Sequence, residues 1–243
     1  MRKIFVVGGG EHYANWMEGE LVTTMKDANL VVFTGGEDVH PDLYGQPMHP
    51  TTSANKLRDR FEVAEFNEAV KLDKHIIGIC RGSQFLCVAN GGMLVQHQNN
   101  PSFVHEIKTF DGKTLEITST HHQAAFPYNL SPEDYQILGW TERMLPFHEG
   151  GMQEELNPEK ECEIVHYPGN KCLGIQGHPE MMSSKHLTIA YLRDLLNKFL
   201  LNQQFNIASD EKKPTTDQEV QADDTLSPSH TRNPEESLTP ITA

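Results

Sequence analysis

Basic residues are scarce: 20 Lys and Arg stand against 34 Asp and Glu, leaving a formal net charge of −14 over 243 residues. A surface of that sign repels phosphate backbones and anionic lipid, so neither a nucleic acid nor a membrane is expected as a partner. Cysteine is sparse too. The four, at 80, 87, 162 and 172, make no C-x-x-C pair and no dense framework, which points to a reducing, cytoplasmic compartment. No apolar run reaches the length of a transmembrane helix. Met1-Arg2-Lys3 and the apolar run Ile4 to Val7 imitate a signal peptide only faintly; the run is too short and leads into Gly8-Gly9-Gly10, so a first strand and a turn are expected. The triple glycine does not complete G-x-G-x-x-G, because Tyr13 stands where the last glycine belongs, and a dinucleotide site is not expected. Thirteen histidines invite a metal, yet no H-x-x-x-H or Cys/His ligand spacing emerges. Neither a metal nor a cofactor is expected.

What the chain does have is alternation. Short apolar, β-branched runs at 3–7, 30–33 and 75–79 read as strands, separated by stretches at 12–27 and 58–72 that can form helices. In the second of these, Phe61, Ala64, Val70 and Leu72 are available to pack on a sheet. Strand–helix alternation implies an α/β fold around a mostly parallel sheet with right-handed crossovers. The segment 41–56, rich in Pro, Thr, Ser and His, reads as an excursion. After Asn90-Gly91-Gly92 the texture changes. Runs at 104–110 and 114–118 flank Asp111-Gly112, a strong hairpin signal, and further strands are expected at 136–140, 163–167 and 172–176. The last stretch is poor in aromatics and rich in Ser, Thr, Pro and acid, so residues 201–243 are expected to be a disordered tail on a catalytic domain of residues 1–200.

Chemistry concentrates at Gly78-Ile79-Cys80-Arg81-Gly82-Ser83-Gln84, where a buried strand ends and a helix over 83–90 begins. Glycines on both sides let the backbone bend sharply around Cys80, the logic of a nucleophile elbow with sulfur for oxygen. At the start of a helix the dipole and free N–H groups favour a thiolate. A buried, inert cysteine is the competing reading. Gln176-Gly177-His178-Pro179-Glu180 weighs against it: His178, at a strand end, can take and return the thiol proton, and Glu180 can hold its far nitrogen. Paired glycines Gly35-Gly36, just past the second strand, offer bare N–H groups for half of an oxyanion hole.

These elements, with Phe33-Thr34 before the glycine pair, resemble the class I glutamine amidotransferase superfamily, and its γ-glutamyl hydrolase branch most. The loop Asp38-Val39-His40-Pro41-Asp42-Leu43-Tyr44-Gly45, the pair Arg58-Asp59 and the S-x-H-x-Q element Ser119-Thr120-His121-His122-Gln123 resemble that branch specifically. The resemblance implies a three-layer flavodoxin-like fold and a Cys80-His178-Glu180 triad that cleaves γ-glutamyl amides of a small-molecule substrate through a thioester. It also implies an oxyanion hole from the main-chain N–H groups of Gly36 and Arg81, and substrate contacts from Gly35, Gln84, His121, His122 and Gln123. His122 stands where hydrolase relatives often have a small residue. Two alternatives stay open at this point: a glutaminase component that passes ammonia to a synthetase partner, and a catalytically silent binding or regulatory protein on the same fold.

Overall fold

In the computed structural model, which describes residues 1–98, 103–142, 160–203 and 205, the early apolar runs form β1 (Lys3–Val6), β3 (Leu30–Phe33) and β4 (His75–Ile79), with a two-residue strand, β2 (Glu20–Leu21), beside β1. All four residues of β3 are buried, as an apolar run between two helical layers requires. The helices that follow are α1 (Lys56–Lys71), capped by the Asn55 side chain, and α2 (Arg81–Ala89). Next come β5 (Met93–Val95), β6 (Val104–Thr109), β7 (Thr114–Thr118), β8 (Ala124–Phe126), β9 (Gln136–Thr141), β10 (Glu161–Tyr167) and β11 (Cys172–Ile175), then α3 (Leu187–Leu200).

One sheet has the order β2-β1-β3-β4-β11-β10-β9-β6-β7, parallel from β2 to β11 and antiparallel beyond; β5 and β8 form a separate antiparallel pair. The expected hairpin thus extends the edge of the main sheet. Phe66 and Ala69 of α1 and Phe85 and Leu86 of α2 pack on one face with Val31, Phe33 and Ile76. Leu192, Leu195 and Leu196 of α3 cover the other, with Trp16 and Met17. Each such leucine contributes roughly 1.5–3 kcal/mol by leaving water, and the result is three layers. Among the described residues no helix is long and apolar enough to cross a membrane.

Two local expectations differ from the structure. Residues 12–27 do not form one helix but a 3-10 turn over Glu11–Met17, the strand β2 and a second short turn over Met25–Asp27. Glu18 takes φ 53° and a Cβ on Gly19 would lie 2.6 Å from the Ile4 side chain, so the chain is pressed against β1 where a helix would have lifted it away. In α1 the buried face is Asp59, Glu62, Phe66 and Ala69, whereas Phe61 and Val70 are exposed. Two acids turn inward because a buried arginine waits for them. Of the tail expected over 201–243, residues 201–203 and 205 are described, with Phe205 buried in the core; the rest lies outside the described residues.

Candidate active site

Cys80 is the single residue between β4 and α2, and the junction holds it at φ 52°, ψ −109°. Such backbone costs a residue with a side chain roughly 1–3 kcal/mol, so its surroundings must hold it there. They do. The Cys80 N–H donates to the Ile175 carbonyl at 2.8 Å, and the Gln84 N–H donates back to the Cys80 carbonyl at 3.2 Å. The turn closes because the flanking residues lack side chains: a Cβ on Gly78 would lie 2.3 Å from the Gly82 oxygen, and one on Gly82 would lie 2.2 Å from the Phe33 oxygen.

Strand register brings the other segments to the same edge. Phe33 is paired with Gly78 and Ile175 with Ile79, so Gly35-Gly36 leaves the sheet on one side of Cys80 and His178 on the other. A Cβ on Gly35 would come within 3.3 Å of the His178 ring. Glu180 Oε1 lies 2.6 Å from His178 Nδ1, with both side chains almost fully buried. A carboxylate can only accept, so Nδ1 carries its proton and Nε2 faces the remaining partners, Thr120 Oγ1 at 2.8 Å and the Cys80 thiol. Burial alone would lower the His178 pKa; hydrogen bonds that the protonated ring donates to Cys80 and Glu180, and their negative charge, outweigh it and raise the value to about 10. Burial pushes Cys87 and Cys172 up to about 12 and Cys162 well above its ordinary value, which leaves all three protonated at neutral pH.

Beneath the elbow lies a buried charge network. The Arg81 guanidinium, 1% exposed, pairs with Asp59 and Glu62, and Arg58 Nε reaches Glu62 Oε1 at 2.8 Å. Arg58 Nη2 also donates to the Gly35 carbonyl at 2.9 Å. Gly36 is tight against this arginine: at φ 135°, its Cβ would fall 2.2 Å from Arg58 Nη1. The network therefore locks the glycine pair and the first residue of α2 to one another.

Over the site runs the segment 119–123. Gln84 Nε2 donates to the Gln123 carbonyl at 2.8 Å, and Gln123 Nε2 to Thr52 Oγ1 at 3.3 Å, which joins α2, this segment and the loop after the glycine pair. His121 is buried, with Nδ1 2.8 Å from the Gln123 carbonyl. His122 is half-buried and reaches the opposite wall: its Nε2 is 3.2 Å from Asp38 Oδ1, and its pKa is raised by that hydrogen bond against the opposing effect of burial. Beside it His97 stacks on His49. Cys80, His178, Glu180 and Gly35 converge directly, whereas Gln84, His121 and Gln123 spend polar atoms on each other. Three neighbours escaped the sequence reading. Tyr13, whose hydroxyl hydrogen-bonds the Gly35 backbone near Cys80 and Glu180, looks in sequence only like a missing glycine. Thr120 and Asp38 sit inside motif stretches but carry no spacing signal of their own.

The fold and this site define an α/β protein with a cysteine elbow at the carboxyl edge of a parallel sheet. Residues 15–125 match the family model Peptidase C26. Protein NtpR of Enterococcus hirae is 31% identical over 170 residues, which cover 65% of this chain and 69% of that protein. A gamma-glutamyl-gamma-aminobutyrate hydrolase of Shigella flexneri is 25% identical over 193 residues, 72% of this chain and 71% of the hydrolase. Two further curated relatives are matched over 66% and 65% of their length, so the chain spans a little under two thirds of them. Among solved structures, the glutaminase domain of Trypanosoma brucei CTPS with bound acivicin superposes with a TM-score of 0.52 at 10% identity, covering 86% of this chain and 97% of that one. The chain belongs to the class I glutamine amidotransferase-like superfamily, near its peptidase C26 branch.

Proposed function

We propose that the chain is a cysteine hydrolase that cleaves γ-glutamyl amide bonds through a γ-glutamyl thioester. The observation that carries this is the chain of contacts Cys80–His178–Glu180 on a strained, glycine-closed elbow. In the proposed cycle Cys80 Sγ attacks the γ-carbonyl carbon as the thiolate of a Cys–His pair, its proton resting on His178 Nε2. The tetrahedral oxyanion faces the main-chain N–H groups of Gly36 and Arg81, where each preorganised donor contributes roughly 3 kcal/mol. Collapse breaks the C–N bond as His178 returns the proton to the departing amine. Water then gives a proton to His178 and attacks the thioester; glutamate leaves and the thiol is restored. Family membership and the name of the Shigella relative support an amide hydrolase. Release of free amine or ammonia from glutamine and from γ-glutamyl amines tests the proposal. Amine release from γ-glutamyl amines by the isolated chain is the expected result, and inertness on all such substrates would overturn it. A glutaminase subunit would instead act on glutamine and gain activity when a synthetase partner is added.

The raised pKa sets the pH response. Because the folded value of His178, about 10, exceeds the ordinary 6.5, the stabilisation from its proton is fully present below about 6.5 and is lost as pH rises through about 10. Activity is therefore expected to fall on the alkaline side near pH 10. Glu180→Gln removes one of the groups that hold the proton, so its alkaline limb should move to lower pH and kcat should drop about 10²-fold or more. An unmoved limb would mean that His178 is not the titrating group.

A further inference from the structure

We infer that His121, Glu161 and Glu163 form a buried site for one divalent transition ion of the Zn2+ type, behind the segment 119–123. One ligand atom from each lies within 4.8 Å of the others, and the residues are only 4%, 3% and 1% exposed. Glu161 and Glu163 stand two apart on β10 and so share a face of the strand; the pairing of β10 with β9 is irregular between Cys162 and Ile164, as where a strand is bent to re-aim side chains.

Electrostatics makes this cluster unusual. Two carboxylates side by side in a dry interior carry a large desolvation penalty unless opposite charge or protons neutralise them. Among the described residues His105 hydrogen-bonds Glu163, with Nε2 2.8 Å from Oε1; the other oxygen, Oε2, is buried and accepts no hydrogen bond. A single divalent ion matches the charge of both carboxylates.

The histidines have the right surroundings for this. His121 Nδ1 contacts the Gln123 carbonyl, which can only accept, so the ring proton sits on Nδ1 and the lone pair on Nε2. A ring N–H tied to a backbone carbonyl is the arrangement that orients metal-binding imidazoles, and a carboxylate held by a second histidine is its counterpart on the acidic side. Gln98 Nε2 lies 3.1 Å from the same Nδ1, and its Oε1 has no partner among the described residues; exchanging the amide's nitrogen and oxygen gives this proton a second acceptor and leaves the tautomer as the Gln123 carbonyl sets it. Nitrogen and carboxylate donors without a thiolate fit Zn2+ or Mn2+. His105, whose Nε2 meets Glu163, also lines a surface cleft of about 510 Å3 together with Glu106, Trp140 and Glu142, so one imidazole separates the cluster from that cleft.

The ligands are separated by some forty positions in the chain, which is why no metal spacing shows in the sequence. An ion there ties β10 to the segment whose Thr120 meets His178 and whose Gln123 carbonyl receives Gln84. Its role is structural, and it stands independently of the proposed reaction.

The test uses the full chain, stripped with a chelator, loaded with Zn2+ or Mn2+ in separate arms and freed of excess ion before elemental analysis. One equivalent should be retained by the wild type and by Cys80→Ala, and by the surface control His49→Ala/His97→Ala, while Glu161→Gln and Glu163→Gln weaken retention about tenfold or more. Zn2+ should raise the melting temperature of the wild type but not of the two glutamine variants. Those variants remove a buried charge at nearly constant shape, so without metal they should melt no lower than the stripped wild type. Should they fail to fold, Co2+ loading of the wild type decides: visible bands without thiolate charge transfer support the site. No retained ion, retention insensitive to both glutamine variants, retention lost with Cys80→Ala, or a thiolate spectrum would each overturn the inference.

Discussion

Cys80→Ala is expected to lose turnover by about 10⁴-fold or more, because the group that forms the covalent bond is gone while the fold around it is unchanged. A second substitution at the same position separates chemistry from architecture. At φ 52°, ψ −109°, every residue with a side chain is strained, and glycine is not. Cys80→Gly should therefore be as inactive as Cys80→Ala yet melt at least as high, despite the extra chain entropy that glycine carries when unfolded. Thermal melts of wild type and both variants, alongside single-turnover assays, read the two effects apart. A Cys80→Gly protein clearly less stable than Cys80→Ala would show that the elbow is not under strain.

Arg81→Ala should be the most damaging change to stability at the site, by about 3–5 kcal/mol, because it strands Asp59 in the interior without its buried cation and leaves Glu62 with Arg58 alone. Urea denaturation measures the loss. The triple variant Arg81→Met/Asp59→Asn/Glu62→Gln removes both stranded carboxylates and should recover much of it, although Arg58 then lacks its partner and keeps the recovery incomplete. Equal loss in the single and triple variants would place the effect in packing against Phe85, over which the guanidinium lies, and not in electrostatics.

The elbow was readable because its constraint is local: two glycines around a cysteine between an apolar run and a helical run describe one turn, and β4 begins and ends at His75 and Ile79, as the run does. The parallel direction of β1, β3 and β4 follows from strand–helix alternation, whereas nothing local announces that β11 pairs with β4. What the sequence hid depends on contacts between distant positions. Nothing about Asp59 or Glu62 announces that both turn inward, since their reason is Arg81, some twenty residues on. Apolar spacing favoured Phe61 and Val70 for the inner face of α1, and charge pairing overrode it. Residues 12–27 failed as a helix for a related reason, because the close approach of Gly19 to Ile4 is a tertiary demand that no local propensity reports. The Asp38–His122 contact joins two loops far apart in sequence and was equally invisible.

That Asp38–His122 contact has a consequence for substrate entry. One end belongs to the loop after Gly36 and the other to the segment that covers the thiol, so the pair acts as a latch between two walls that are otherwise held by Gln123 and Thr52. Acidic medium strengthens it by keeping the imidazole charged, and alkaline medium loosens it. The mouth of the site is thus fastened by a bond that titrates, and the glycine pair and elbow beneath it by a buried network of arginines and carboxylates.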